Sequence, residues 1–143
     1  MAASGQKYYI ENRVYYHDTD AGGVVYYASY LKHLEEGRTE FMRSRGIDVA
    51  EYAKGGTLFP VVHLEIDYKT PARYGDTIRV YTKPEKIGNA SLEFSQEIRS
   101  GEDTILKART VWACVNVAPG GSAAKTLLKP IRVPQEIRQR IGA

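Results

Sequence analysis

Two aspartates one residue apart, in the run His17-Asp18-Thr19-Asp20-Ala21-Gly22-Gly23, are the residues of this chain best suited to chemistry. A carboxyl group with an ordinary pKa near ~3.9 is ionised at neutral pH, so it can act as nucleophile or general base without a second group to activate it. Helical spacing begins a few residues later. The loop therefore lies where unpaired backbone N–H groups and the positive end of a helix dipole favour negative charge, including a developing oxyanion. Such minimal equipment suits a thioester, because a thiol with a pKa of about 8.5 leaves far more readily than an amine or an alkoxide. The same residues also fit a plain structural account, one aspartate capping the helix and the glycine pair turning the chain, and on spacing alone that account is the more economical.

The elements around the loop follow from periodicity. Tyr8, Ile10, Asn12, Val14 and Tyr16 alternate with Tyr9, Glu11, Arg13, Tyr15 and His17, which predicts a half-buried strand up to the loop. From about Ala28 to Arg45 the spacing becomes helical, with Leu31, Leu34, Arg38, Phe41 and Met42 on one face and Gly46 as the stop. Gly37 within this helix costs roughly 1 kcal/mol relative to alanine, a penalty that close approach to a sheet can offset. Glu51 to Pro60 reads as a loop or a short irregular helix.

Strands follow at Val62 to Lys69, from the Tyr74-Gly75-Asp76 turn through Ile78 to Thr82, at Leu92 to Ile98, and from about Ile105 to Val117, with Pro119-Gly120-Gly121 ending the last. Val111 to Val117 is apolar on both faces, which predicts a central strand covered on two sides. A short helix closes the chain near Gln135 to Ile141. The order is that of a single α+β domain spanning residues 1–143, in which a curved antiparallel sheet wraps one long helix. The outer sheet face is expected to be partly apolar and to meet a second copy.

Composition narrows the function. The chain has 143 residues, 43% hydrophobic and 26% charged, with 20 basic and 17 acidic residues scattered along its length, which argues against a nucleic-acid stripe. One cysteine, Cys114, allows no internal disulfide and reads as a small core residue. Without a secretory start or a membrane-length apolar run, a cytoplasmic address is expected. His17, His33 and His63 lack the spacing of a metal site, so no metal is expected and each reads as a surface or packing residue.

The segment from Tyr15 through Asp18-Thr19-Asp20-Ala21-Gly22-Gly23 to Tyr30 resembles the signature of the 4-hydroxybenzoyl-CoA thioesterase-like hotdog family, in particular the acyl-CoA thioesterases associated with the bacterial Tol–Pal system. Glu36-Gly37-Arg38-Thr39-Glu40 and Tyr68-Lys69-Thr70-Pro71-Ala72 extend the likeness. The resemblance implies a hotdog fold, a homodimer or homotetramer with sites between subunits, and hydrolysis of an acyl-CoA or related acyl thioester. It places the catalytic carboxylate at Asp20, with Asp18 in support, an oxyanion-binding backbone N–H at Tyr27, and a site tyrosine at Tyr16. Close relatives often carry histidine where this chain has Tyr27, so no catalytic imidazole is inherited.

Coenzyme A enters as part of the substrate and no separate cofactor is expected. Its phosphates call for basic residues; Lys83 and Lys86 are the leading candidates, with Lys69, Arg73, Lys125 and Lys129 behind them. An acyl carrier protein is a further candidate partner. Two other functions compete: a hotdog dehydratase acting on acyl-carrier-protein substrates, which needs a histidine and an acid paired across the site, and an acyl-CoA binding protein without turnover.

Overall fold

The computed structural model describes residues 7–117 and 128–142. The expected end of the last long strand at Pro119-Gly120-Gly121 and the candidate Lys125 lie outside these residues. A five-stranded antiparallel sheet has the order β1 (Tyr9–Arg13), β4 (Thr77–Ile87), β5 (Ser91–Ser100), β6 (Asp103–Ala113), β3 (Val61–Tyr68). A second sheet pairs β2 (Thr57–Leu58), β7 (Val115–Val117) and β8 (Leu128–Pro130). The long helix α1 (Tyr30–Ser44) packs on the inner face of the large sheet, and α2 (Val49–Lys54) and α3 (Gln135–Ile141) follow it in the chain. Register shifts between Val61 and His63, Pro84 and Lys86, and Ile98 and Arg99 interrupt the ladders. Such bulges bend and twist the strands that carry them. This is the hotdog arrangement, an α+β fold.

Helix α1 buries Tyr30, His33, Leu34, Gly37, Arg38, Phe41 and Met42, a stripe at steps of three and four. Leu31 falls outside it at 42% exposure, contrary to its expected place on the buried face, because one residue's step turns it about 100° from Tyr30. Gly46, at φ +76°, ends the helix; its N–H donates to the Arg43 carbonyl (2.9 Å) and the Ile47 N–H to that of Met42 (2.9 Å). These two bonds form a Schellman cap, a conformation open to glycine at little cost.

The apolar core lies in two parts. One, around Val14, Leu34, Ile78 and Leu106, sits beneath the start of α1; the other, around Phe41, Phe94, Trp112 and Ile137, sits beneath its end. Between them runs a buried polar belt. Arg38 Nη1 donates to Gln96 Oε1 (3.0 Å) and Thr110 Oγ1 (3.3 Å), and Gln96 Nε2 donates to the Leu34 carbonyl (2.9 Å) and Thr82 Oγ1 (3.0 Å). Burial lowers the Arg38 pKa to about 10, which still leaves it charged at neutral pH.

Two expectations need correction. The first strand stops at Arg13, and Tyr16–Asp18 forms a 3-10 turn, because Asp18 returns bonds to Tyr15 through both its N–H and its carboxylate. The long strand ends at Ala113, not Val117: the Cys114 N–H turns to the Ala90 carbonyl, and Val115–Val117 joins the small sheet. The outer face of the large sheet is partly apolar and also carries ion pairs. Arg79 pairs with Glu11 (3.0 Å), Arg99 with Glu97 (2.7 Å), and Arg109 with Glu65 (2.6 Å) and Glu93 (3.0 Å), while Val111 and Ala113 remain partly exposed. Exposed apolar side chains include Tyr9 on this face, Val61, Val62 and Tyr68 on edge strand β3, and the loop tyrosines.

Candidate active site

The loop between β1 and α1 is a tight hairpin. The Asp20 N–H donates to the Val24 carbonyl (2.9 Å), the Tyr26 N–H donates to that of Asp18 (2.8 Å), and Thr19 bridges Val25. Gly23, at φ +81°, makes the turn. The hairpin is tied to the body through the Val25 N–H, which donates to the Ala72 carbonyl (2.8 Å). Ala72 is buried, and its own N–H donates to Tyr30 Oη (2.9 Å).

The two aspartates have opposite environments. Asp20 is exposed at the hairpin, with one carboxylate oxygen accepting the Gly22 N–H (2.8 Å). Asp18 is 0% exposed; its carboxylate accepts from the Tyr15 N–H (3.0 Å), Lys32 Nζ (2.7 Å) and His33 Nε2 (3.3 Å). Burial alone would raise the Asp18 pKa, but the Lys32 and Tyr15 hydrogen bonds and the neighbouring His33 bring it below the usual carboxylate value. Only Asp20 is open to a substrate.

Tyr27 opens the 3-10 turn Tyr27–Ser29, which runs into α1. Among the described residues the Tyr27 N–H has no acceptor, as expected for the first donor of a helical segment. Its carbonyl accepts from Tyr68 Oη (3.1 Å), and its side chain is 63% exposed. Tyr16 is 73% exposed and stacks on Tyr74 with ring centroids 4.1 Å apart, so it is a surface group and not a core strand residue. Asp20, Tyr16 and the Tyr27 N–H thus belong to one loop. Lys83 and Lys86 lie on β4 beyond Thr82, at the end of the strand remote from this loop, with Lys83 Nζ 3.3 Å from Glu85. Lys83 borders a cavity of about 390 Å³ shared with Lys7, Phe41 and Arg45, at the C-terminal end of α1. One chain does not bring these lysines to Asp20. Of the other basic candidates, Arg73 bridges Val24 beside the hairpin, and Lys129 is exposed on β8.

His33 proves to be the packing histidine. It is 4% exposed, with Nδ1 accepting from Asn12 Nδ2 (2.9 Å), and the same amide donates to Glu36 Oε1 (2.8 Å). Because Asn12 supplies hydrogens to both, the imidazole proton sits on Nε2 and points at Asp18. Asn12, His33 and Glu36 were not singled out as site residues by spacing; the signal was His33 standing three residues after Tyr30 on the buried stripe. Among the described residues, no group of three His, Cys, Asp or Glu side chains is placed to hold a metal ion. No helix among the described residues is long and apolar enough to cross a membrane.

Burial holds the His33 pKa below its ordinary value, with Lys32 adding to the effect and Asp18 and Glu36 opposing it. The unfolded chain therefore takes up this proton first as pH falls. The contribution to stability is complete above about pH 6.5 and is lost between there and the lower folded pKa. Asp18, also lowered, contributes above its ordinary carboxylate value and loses that contribution as pH falls through the folded one. Urea unfolding across a pH series is expected to show stability falling in two stages on acidification. His33→Gln should remove the first stage and spare the second.

With this geometry in place, comparison with known proteins gives a consistent result. The family described as the thioesterase superfamily matches residues 22–107. An acyl-CoA thioester hydrolase, YbgC, from Escherichia coli O6:H1 is 38% identical over 105 residues, covering 73% of this chain and 78% of the relative. The acyl-CoA thioesterase YbgC from Haemophilus influenzae is 35% identical over 127 residues, 88% of each chain. Among solved structures, a probable thioesterase from Bartonella henselae superposes with a TM-score of 0.79 at 32% identity, covering 90% of this chain and 100% of that one. The chain belongs to the thioesterase superfamily, in its hotdog-fold form.

Proposed function

We propose that this protein hydrolyses acyl-CoA thioesters, with Asp20 as the reacting carboxylate and the Tyr27 N–H as the oxyanion donor. The observation that carries this reading is the loop itself: it holds an exposed carboxylate and a helix-start N–H that is unpaired among the described residues. The named activities of the two YbgC relatives support it. The N–H polarises the thioester carbonyl and stabilises the tetrahedral oxyanion. Asp20 then acts in one of two ways. As a base it takes a proton from water as the water oxygen bonds to the carbonyl carbon; the C–S bond breaks, and the thiolate recovers that proton. As a nucleophile it forms the bond to carbon itself, expels the thiolate, and leaves an anhydride for water to cleave.

Tyr16 and Tyr27 present exposed rings beside the hairpin, suited to the walls of an acyl pocket. A second copy of the chain, in a dimer or tetramer, would enclose this open surface. Lys83 and Lys86 then serve coenzyme A phosphates at the partner's Asp20, since they lie at the far end of their own strand. The dehydratase alternative needs a histidine and an acid open to substrate. Asp18 and His33 pair beside the hairpin but are both buried, and the exposed pair His63–Glu65 (2.7 Å) stands on β3, outside the loop that carries Asp20.

Thiol release from short, long, branched and aromatic acyl-CoA esters tests the reading; release from none would turn belief to a carrier-protein substrate or to binding alone. Replacing both Lys83 and Lys86 with alanine is expected to raise KM roughly three- to fivefold, as for exposed charge pairs, with kcat unchanged. The increase should shrink at high salt. An unchanged KM would remove these lysines from the coenzyme A site.

A further inference from the structure

The hairpin that carries Asp20 has glycines at its tip and exposed residues from Asp20 to Gly23, so local opening should be easy unless something fastens it. Asp18 is placed to do so. Its carbonyl accepts the N–H of Tyr26, the residue before Tyr27, and it stands two positions before Asp20. Its carboxylate reaches His33 and Lys32 on the first turns of α1. His33 is itself oriented by Asn12 of β1, which also binds Glu36. Strand, hairpin and helix are therefore joined by one chain of hydrogen bonds, buried at the Asp18–His33 contact and part-buried at its ends, in which donors face acceptors throughout.

We propose that Asp18 and His33 are positioning residues: their buried contact fixes the hairpin on α1 and so sets the placement of the Asp20 carboxylate relative to the Tyr27 N–H. Neither touches the substrate. Misplacing a reacting group by a small distance lowers the rate far more than it lowers binding, so the contact should act on kcat. This role rests on the hydrolase reading.

His33→Phe keeps an aromatic ring of similar size and deletes both hydrogen bonds. Loss of a buried bond to a charged group is expected to lower kcat roughly tenfold, with KM within about twofold. Amide exchange across the hairpin, at the Asp20 and Tyr26 N–H groups, should quicken about tenfold, while β5 and β6 exchange as in the wild type. His33→Gln, which can still donate to Asp18, should recover kcat to within about threefold of the wild type. Asp18→Asn, which weakens the same contact from the other side, should lower kcat with the same pattern and replaces His33→Phe if that variant does not fold.

Wild-type kcat and hairpin exchange in His33→Phe would overturn the proposal. So would loosening of β5 and β6 equal to that of the hairpin, or a glutamine variant no better than phenylalanine. A wild type that cleaves no thioester sinks the hydrolase reading alone, and hairpin exchange then still decides whether this contact fixes the loop.

Discussion

Asp20→Asn is expected to lower kcat for acyl-CoA hydrolysis by about 10²–10⁴-fold, the span seen when a general acid or base is removed, with little change in melting temperature. The contrast follows from the surroundings of this side chain. Asp20 is exposed, and its side-chain hydrogen bond is with the Gly22 N–H, donated to Oδ1. An asparagine carbonyl oxygen can accept that bond, and the backbone pairing of Asp20 with Val24 does not involve the side chain. The hairpin should keep its shape while losing the negative charge and the basicity that either mechanism needs. Thiol release by the folded, correctly assembled variant is the measurement. Retention of most of the wild-type rate would mean that another group attacks the thioester. Single turnover in oxygen-18 water separates the two routes where substitution cannot: label recovered in the Asp20 carboxylate establishes the covalent one.

How much of this was legible beforehand depended on how local each determinant is. The stripe of Leu34, Arg38, Phe41 and Met42 is local, and the helix forms on it, ended by Gly46 as expected. The strand expected at Leu92 to Ile98 likewise emerges as part of β5, paired with β4. The missed boundaries are set from elsewhere in the chain. Period-two alternation carries on from Tyr8 to His17, but the strand ends at Arg13 where Asp18 closes a turn on Tyr15, and the carboxylate that closes it is also held by Lys32 and His33, 14 and 15 positions away. Similarly, β6 gives way at Cys114 to bonds with Ala90 and Ile131 that no pattern within residues 105–117 announces. At the site, the acidic and glycine-rich run marks two aspartates without telling them apart, and the choice of Asp20 comes from the family resemblance. The difference in environment between Asp18 and Asp20 does not follow from type or spacing; it comes from the contacts of Asp18 with Lys32 and His33 on α1. Tyr16 shows the same limit, since its exposure follows from leaving the strand and stacking on Tyr74.

Gly37 carries the second large expectation. A methyl group there gains roughly 1 kcal/mol of helix propensity, so an exposed position would be stabilised by alanine. This one is not exposed. An added Cβ would stand 2.7 Å from Val80 Cγ1, 2.9 Å from Thr82 Oγ1 and 3.0 Å from Gln96 Nε2. None of these atoms yields easily: Val80 is fully buried and stiff about its first side-chain torsion, and Gln96 is held by Leu34, Thr82 and Arg38. Overpacking of a filled core typically costs about 1–3 kcal/mol, enough to outweigh the propensity gain. Gly37→Ala should therefore lower the unfolding free energy by about 1–2 kcal/mol, and Gly37→Leu should leave little folded protein at ordinary temperature. Denaturant melts give the number. A Gly37→Ala variant more stable than the wild type would mean that α1 can lift from β4 at little cost. The close approach also governs the site, because α1 carries Lys32 and His33 at one end and seats the buried Arg38 belt at its middle. A helix pushed off the sheet at Gly37 would draw His33 away from Asp18, so activity in Gly37→Ala is expected to fall further than the loss of folded protein accounts for.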